Sequence, residues 1–247
     1  ARDRASFIAM QKGLQIMPRK ARRKVFNDHL SPYGMTSVQA GEVEAVHESA
    51  VENMLKQQLV QIEGQADILT MGLPYLSPYN VNSILNPILV MCLGLGYFFN
   101  MYRNKPLVRK DGVIIMTHPT PIEFHPVHHP SYIDFFEQVL PDTTDGHKIA
   151  HKYEKQFAED EWYRHLYRTS YAYHGVHPLY MWYWGSNAMD HAAKIIIVGG
   201  DVKAVRRMGF TPASTMNDAL EIASDVVGPQ PTITHLHNPP VVMADVI

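Results

Sequence analysis

The sequence predicts an α/β fold: a three-layer Rossmann-like domain with a parallel sheet, a helical N-terminal lead-in and a helical insertion rich in aromatic residues and histidine. Three observations predict this class. Short apolar runs of strand length alternate with segments of helix length. The runs 112–117 and 193–198 are almost continuously apolar, as the central strands of a parallel sheet are. Residues that favour turns follow the runs, where the loops of such a sheet begin.

The elements are predicted in chain order from capping residues and apolar spacing. Residues 1–40 are predicted as the lead-in, with helices over 6–16 and 19–29 separated by Pro18, which suits a first helical turn. Residues 41–247 are predicted as the α/β domain. Five runs in this domain have strand length: 59–62, 66–71, 112–117, 193–198 and 231–236. Four segments are predicted as helices: 41–58, 84–99, 202–208 and 217–227.

Composition excludes several classes of protein. The 22 Lys and Arg residues against 24 Asp and Glu give a net charge of −2, which argues against a nucleic-acid-binding surface. Cys92 is the only cysteine, so no internal disulfide forms and the composition fits a cytoplasmic protein. The most apolar segment, 83–99, is shorter than the roughly 20 residues of a membrane span. We therefore predict a cytoplasmic protein without nucleic-acid or membrane partners, and a homo-oligomer stays open.

Histidine is concentrated in one part of the chain. Nine of the 14 histidines lie between His118 and His177. His118 directly follows a predicted strand, where an open α/β sheet carries its ligand-binding loops. Because imidazole exchanges protons near neutral pH, we predict that His118, His125 and His174 are catalytic. The alternative for His174 and His177 is structural, with their rings bonded to backbone carbonyls inside an aromatic cluster.

The insertion, residues 125–191, is predicted to be helical and holds all three tryptophans. It also offers an alternative metal site at His125, His128 and His129, because neutral imidazoles bind metal ions. Their spacing matches no known metal motif, however, and one cysteine is too few for a thiolate zinc site. The main prediction is therefore that this chain supplies no metal ligand.

Two glycines, Gly94 and Gly96, form a G-x-G pattern late in the predicted helix 84–99. Phosphate-binding glycines lie at a strand-to-helix turn instead. The pattern therefore predicts close helix packing. Asp67 and Asp201 flank predicted strands, and capping of a helix is their expected role.

A series of landmarks gives the chain a resemblance to a known family. The segment 65–74 ends a strand in Gly72-Leu73-Pro74, with Asn80 before the next helix. The other landmarks, in the same order and at comparable spacing, are 40–47, 108–115, 198–201, 207–210 and 219–220. The chain thus resembles the C-terminal half of the nickel-pincer-nucleotide lactate racemases and their uncharacterised relatives.

This resemblance implies a two-domain isomerase. In the family the first domain carries the lysine that tethers the nickel cofactor, the nickel histidine and the acid/base histidines, and the second domain closes over that site. Here the first domain is expected upstream of Ala1, as a missing N-terminal partner. The resemblance implies a nickel pincer nucleotide in the full-length protein, no cofactor bound tightly to this chain alone, and an inactive isolated chain.

The resemblance also places substrate-binding residues. The family's second domain contributes a glutamine and a lysine to the cleft, and these positions fall near Ser83 and Asn86 here. Loss of the lysine removes a cation that would hold a carboxylate, which favours a larger, hydroxyl-rich substrate over lactate. A 2-hydroxy acid or sugar acid is therefore the expected substrate. The residues expected to bind it are Tyr79, Asn80, Asn82, Ser83 and Asn86.

Two other classes of function stay open. The first is a free-standing, metal-dependent hydrolase or lyase that uses His118 and His125 together with His128 or His129. The second is a non-catalytic α/β interaction domain. A serine hydrolase is disfavoured because the chain contains no G-x-S-x-G sequence.

Overall fold

The computed structural model describes residues 9, 12–14, 16–28, 34–75, 84–237 and 243–247. The described chain forms two compact units, residues 1–57 and 58–247. The boundary falls between Gln57 and Gln58, the last two residues of the helix that follows residue 40.

The first unit contains two described helices, α1 (Arg19–Asp28) and α2 (Val43–Gln58), the second of which reaches the boundary. The carboxylate of Glu42 accepts hydrogen bonds from the backbone N–H groups of Glu44 at 2.9 Å and Ala45 at 3.2 Å, which begins α2. No residue of α2 is buried. Within the predicted lead-in, residues 9, 12–14, 16 and 19–28 are helical, whereas residues 34–40 form neither helix nor strand.

The described residues of the second unit form eight strands in two parallel sheets. The strands are β1 (Leu59–Ile62), β2 (Ala66–Gly72), β3 (Tyr102–Arg103), β4 (Val108–Thr117), β5 (Lys194–Val198), β6 (Thr211–Ala213), β7 (Ile233–Leu236) and β8 (Met243–Val246). A five-stranded sheet has the order β6-β5-β4-β2-β7, and a three-stranded sheet has the order β1-β8-β3. The α/β class and the parallel sheet are confirmed.

In the described part of this unit, seven helical segments connect the strands. They are α3 (Pro87–Met91), which continues as a π-helix over Cys92–Phe98, α4 (Pro130–Asp134), which continues as a π-helix over Phe135–Val139, α5 (Gly146–Glu159), α6 (Glu161–Thr169), α7 (His177–His191), α8 (Val202–Arg207) and α9 (Met216–Val227). The predicted helical insertion corresponds to α4 to α7. Thr215 and Asp218 form a capping box that begins α9, where the sequence predicts the cap.

Alternate side chains of the large sheet face two separate cores, which makes the fold three-layered. Leu69, Ile114 and Ile195 belong to a core shared with α3 and α7. Their chain neighbours Ile68 and Val113 belong to a second core that includes Ala219 and Ala223 of α9. This alternation is the period-two geometry of strands buried on both faces.

The order of the strands locates a crevice. The chain passes from β2 to β4, β5 and β6 in one direction and then returns to place β7 on the other side of β2. The strand order therefore reverses beside β2. Ligands of open α/β sheets bind at the carboxyl ends of the strands at such a reversal.

The small sheet contains a strand that the sequence did not predict, whereas the packing of two helical glycines agrees with the prediction. The run 231–236 was predicted as the last strand, but β8 follows it and pairs with β1 in register from Leu59 with Met243 to Ile62 with Val246. The close packing predicted for Gly94 and Gly96 is confirmed: a Cβ atom on Gly96 would lie 3.0 Å from the Cβ of Trp184. Among the described residues, no helix combines the length and the apolar character needed to cross a membrane.

Candidate functional site

The candidate site lies at the carboxyl edge of the large sheet, which we define as the loops directly after β2, β4 and β5 together with the end of β7. His118 follows β4, Gly199 and Gly200 follow β5, and Tyr75 lies shortly after β2. The backbone N–H of His118 donates to the carbonyl of Val198 at 3.3 Å, which continues the β4–β5 pairing beyond the last ladder position. This hydrogen bond holds the main chain of His118 at the carboxyl edge.

The imidazole of His118 is buried, with 2% of the residue exposed. Its Nδ1 atom accepts a hydrogen bond from the backbone N–H of Thr120 at 2.8 Å, and its ring stacks on Tyr75 with 6.2 Å between centroids. The Nε2 atom is buried and makes no hydrogen bond of good geometry with the described residues, although the backbone carbonyl of Pro74 lies close enough to interact with the imidazole. Burial lowers the pKa of His118 to about 4, although the nearby backbone carbonyl of Pro74 acts in the opposite direction. His118 is therefore neutral at pH 7.

Thr120 has an unusual backbone conformation beside His118. Its φ is +44°, a value that β-branched residues rarely adopt, and the residue is fully buried. Its Oγ1 donates to the carbonyl oxygen of His118 at 3.1 Å. A Cβ atom on Gly200 would lie 3.3 Å from that Oγ1, so glycine allows the β5 loop to approach. The N–H of Asp201 donates to the carbonyl of Pro119 at 2.9 Å, which joins the two loops.

The sequence analysis missed two polar residues on β2 and β7. Thr70 Oγ1 lies 2.7 Å from His235 Nδ1, and the two residues are paired in register across the strands. The ring of His237 lies 6.2 Å from that of His235. Thr70 is the one polar residue in the buried part of β2, and an isolated polar residue in an apolar run was the available signal. Asp67, near the start of β2, accepts from Thr232 and Arg109 and caps no helix.

Asn86 is the one predicted substrate-binding residue that the structure describes. It is completely buried and begins α3, because its Oδ1 accepts from the N–H of Leu89 at 3.0 Å. Its Nδ2 is buried without a hydrogen-bond partner among the described residues. Leu85, the residue before it, donates its N–H to the carbonyl of Tyr75 at 3.0 Å, which ties the start of α3 to the candidate site. Tyr79, Asn80, Asn82 and Ser83 lie outside the described residues.

The other predicted catalytic histidines have different surroundings. The ring of His125 is tilted by 37° against that of His128, with 4.2 Å between centroids, and the Nδ1 of His125 accepts from the N–H groups of Val127 and His128, each at 3.2 Å. His174 lies edge-on to Tyr167, with 5.3 Å between centroids, and its Nδ1 accepts from the N–H of Val176 at 3.4 Å. The three predicted catalytic histidines therefore have three separate sets of neighbours.

A second group of rings, the histidine–tyrosine cluster, lies in the insertion and comprises His125, His128, His129, Tyr132, Tyr173 and His177. His129 stacks on Tyr173 with 5.3 Å between centroids and 8° between planes. Burial, together with the neighbouring histidines, lowers the pKa of His129 to about 3. Burial also lowers the pKa of His177 to about 4, and its Nδ1 lies 2.6 Å from the hydroxyl of Tyr132. A tyrosine hydroxyl is thus a hydrogen-bond partner of His177.

The alternative metal site falls in this cluster. The ring of His129 lies 6.3 Å from that of His125 and 6.5 Å from that of His128, centroid to centroid. His128 Nδ1 lies 2.9 Å from the carbonyl oxygen of Tyr171, so this nitrogen is its hydrogen-bond donor. In the described part of the chain, no three His, Cys, Asp or Glu side chains are arranged to hold a metal ion.

The fold and the site define a class: an α/β protein whose parallel sheet presents buried polar groups at a reversal of strand order. Within this class the chain is similar to the lactate racemase apoprotein from Thermoanaerobacterium thermosaccharolyticum, with a TM-score of 0.50 and 18% sequence identity. The similarity covers 83% of this chain and 41% of that one, so the chain spans less than half of the racemase. At this identity the likeness supports the fold. No protein-family model and no curated protein matched the sequence.

Proposed function

We propose that this chain is the substrate-closing domain of a racemase or epimerase that acts on 2-hydroxy acids or sugar acids. The observation that carries the proposal is a pair of buried polar atoms, His118 Nε2 and Asn86 Nδ2, which lack a hydrogen bond of good geometry within the described chain and belong to elements tied together at the carboxyl edge. A buried polar atom without a well-formed hydrogen bond is costly, and a hydroxyl-rich ligand would satisfy both.

The type of substrate follows from the charge of the site. Both atoms belong to groups that are neutral at pH 7, because the pKa of His118 is lowered to about 4. Neutral donors suit hydroxyl and carbonyl oxygens better than an isolated carboxylate, which pairs with arginine or lysine. Tyr79, Asn80, Asn82 and Ser83 are proposed to complete the substrate contacts.

The proposed enzyme needs a second domain. The described residues of this chain offer no set of metal ligands, so a nickel pincer nucleotide would be held by the other domain. Such a cofactor supplies hydride transfer at the carbon that bears the hydroxyl. This chain's own part is to bind and orient the substrate and to exclude water from the site.

The test begins with the complete reading frame and the metal content of its product. The 247-residue chain and the full-length protein are each purified and incubated with L-lactate and D-gluconate, and epimerisation is followed by chiral chromatography. We expect nickel and activity in the full-length protein only. A reading frame that encodes no further domain, or full-length protein without activity on either class of acid, would refute the proposal.

A matched pair of variants tests the contribution of Asn86. Asn86→Asp keeps an oxygen that caps α3 but loses the Nδ2 donor, and Asn86→Ser keeps the cap with a shorter side chain. We expect both variants to fold and to raise the KM about tenfold or more. Unchanged KM values in folded variants would show that Asn86 only begins the helix.

A further inference from the structure

The hydrogen bond between Thr120 and His118 decides which tautomer of the imidazole is present. A backbone N–H group can only donate, so the Nδ1 atom that receives it at 2.8 Å carries no proton. In a neutral imidazole the proton then resides on Nε2. The orientation of the ring and the position of its proton are thus set by the main chain two residues further on.

The main chain of Thr120 is itself held in place. Its φ of +44° is unfavourable for threonine and persists only where the surroundings impose it. Two neighbours surround the side chain of Thr120. Its Oγ1 donates to the His118 carbonyl oxygen at 3.1 Å, and Gly200 packs against Oγ1. A conformation imposed in this way positions the donor that fixes the imidazole.

The other ring nitrogen points to a ligand. Nε2 of His118 is buried and makes no hydrogen bond of good geometry with a described residue, and the backbone carbonyl of Pro74, which raises the pKa of the ring, is an acceptor that a ligand oxygen would replace. The ring also stacks on Tyr75, 53% of which is exposed, so one side of this arrangement reaches the surface. A buried N–H donor beside a surface aromatic ring is suited to an oxygen acceptor on a ring-stacking or hydroxyl-rich molecule.

We propose that the main chain of Thr120 holds His118 as the neutral Nε2–H tautomer, so that His118 donates a hydrogen bond to a hydroxyl or carbonyl oxygen of the substrate and accepts no proton. The substrate class rests on the proposed function, whereas the tautomer rests on the geometry alone. Thr120 is a positioning residue. The donor role proposed for His118 differs from the acid/base role that the sequence predicts for it.

The tautomer is tested first by NMR spectroscopy of the 247-residue chain labelled with ¹⁵N-histidine. Two-bond ¹H–¹⁵N correlations between pH 5 and 8 report which nitrogen of each ring is protonated, and His118→Gln assigns the signal. We expect protonated Nε2 and unprotonated Nδ1 throughout this range. Protonation of Nδ1, or titration of His118 between pH 5 and 8, would overturn the proposal.

Two comparisons strengthen this measurement. Thr120→Gly keeps the backbone N–H donor, and glycine adopts a positive φ readily, so the same tautomer of His118 is expected. A change of tautomer in that variant would overturn the role given to the main chain. His125 and His174 accept longer bonds from the N–H two residues on, at 3.2 Å and 3.4 Å, and serve as references for the same tautomer.

The donor role is tested by binding of D-gluconate and L-lactate to the full-length protein, measured by calorimetry. Glutamine places an amide N–H near the position of Nε2 and cannot accept a proton, so His118→Gln is expected to bind within threefold of the native protein. His118→Ala is expected to bind at least tenfold more weakly. Equal losses in the two folded variants would overturn the donor role. Failure of the native protein to bind either acid would instead refute the proposed substrate class, while the NMR result would still decide the tautomer.

Discussion

His118 at the carboxyl edge and His129 in the histidine–tyrosine cluster are equally well buried, yet their rings are held in different ways. The Nδ1 atom of His118 accepts a directional hydrogen bond from the main chain. His129 is held by stacking on Tyr173, and both of its ring nitrogens lack hydrogen-bond partners among the described residues. A directional bond fixes where the remaining nitrogen points, whereas stacking fixes only the plane of the ring. We infer that the density of histidine in this chain combines one candidate functional residue with a set of packing residues.

The pH dependence of stability is expected to show the largest effect. The pKa of His118 is lowered to about 4, that of His129 to about 3 and that of His177 to about 4, against 6.5 in the unfolded chain. The unfolded state therefore binds more protons below pH 6.5, so stability is full above this pH and falls between pH 6.5 and 4. These shifts correspond to at most about 3 kcal/mol each for His118 and His177 and at most about 5 kcal/mol for His129.

This prediction is checked by urea unfolding at pH 7, 6 and 5, followed by tryptophan fluorescence. All three tryptophans lie in the second unit, so the signal reports on that unit alone. His118→Gln and His129→Phe should each make the pH dependence shallower. A free energy of unfolding that is the same at pH 7 and pH 5 would contradict the burial of these rings.

Gly200→Ala is expected to disrupt the carboxyl edge without touching the cluster. The added methyl group would lie 2.8 Å from a methyl of Val205 and 2.9 Å from one of Ile197, and 3.3 Å from Thr120 Oγ1. Overpacking of this kind costs about 1–3 kcal/mol, measured as the free energy of unfolding. The control is Gly72→Ala at the end of β2, where nothing lies within 4 Å of the added Cβ and φ is not positive. Equal stability of the two variants would show that the β5 loop has room to move.

His129→Phe is expected to stabilise the protein by about 1 kcal/mol at pH 7, because it removes two unpaired buried nitrogens and keeps an aromatic ring against Tyr173. The matched variant His118→Phe removes a ring nitrogen that is hydrogen-bonded and leaves the N–H of Thr120 unpaired, so it should destabilise the protein. Thermal unfolding of both variants tests the contrast directly. If both changes shift the melting temperature in the same direction, the proposed difference between the two regions is wrong.

Thr120→Gly is expected to have the smallest effect on stability, within about 1 kcal/mol. Glycine relieves the unfavourable φ of +44°, but it loses the hydrogen bond from Oγ1 to the His118 carbonyl and adds freedom to the unfolded chain. These contributions have opposite signs and similar size. Thr120→Val keeps the β-branched shape and loses only the hydroxyl, so its larger loss in urea unfolding would measure the hydrogen bond. A large loss in the glycine variant alone would show that the side chain matters beyond this bond.

Much of the fold could be predicted because local signals and tertiary structure agree in the central strands. The runs ending at Thr117 and Val198 are strands because only a sheet buried on both faces accommodates such continuous apolar segments. Thr215 begins a helix because its side chain and that of Asp218 satisfy each other's backbone N–H groups. The short strand β6, which contains Pro212, had no such local signal, because its pairing with β5 comes from a distant part of the chain.

The sequence by itself determined the fold class, the position of His118 after a central strand and the neutral balance of charge. These properties depend on residue type and on spacing along the chain. Only the tertiary structure decided that Thr70 faces His235 and that His118, His125 and His174 have separate surroundings. It also decided that Thr120 directs the imidazole of His118 through a strained backbone that Gly200 supports. The physical reason is that burial, strand order and the direction of a hydrogen bond arise from contacts between segments far apart in the chain, which local spacing does not encode.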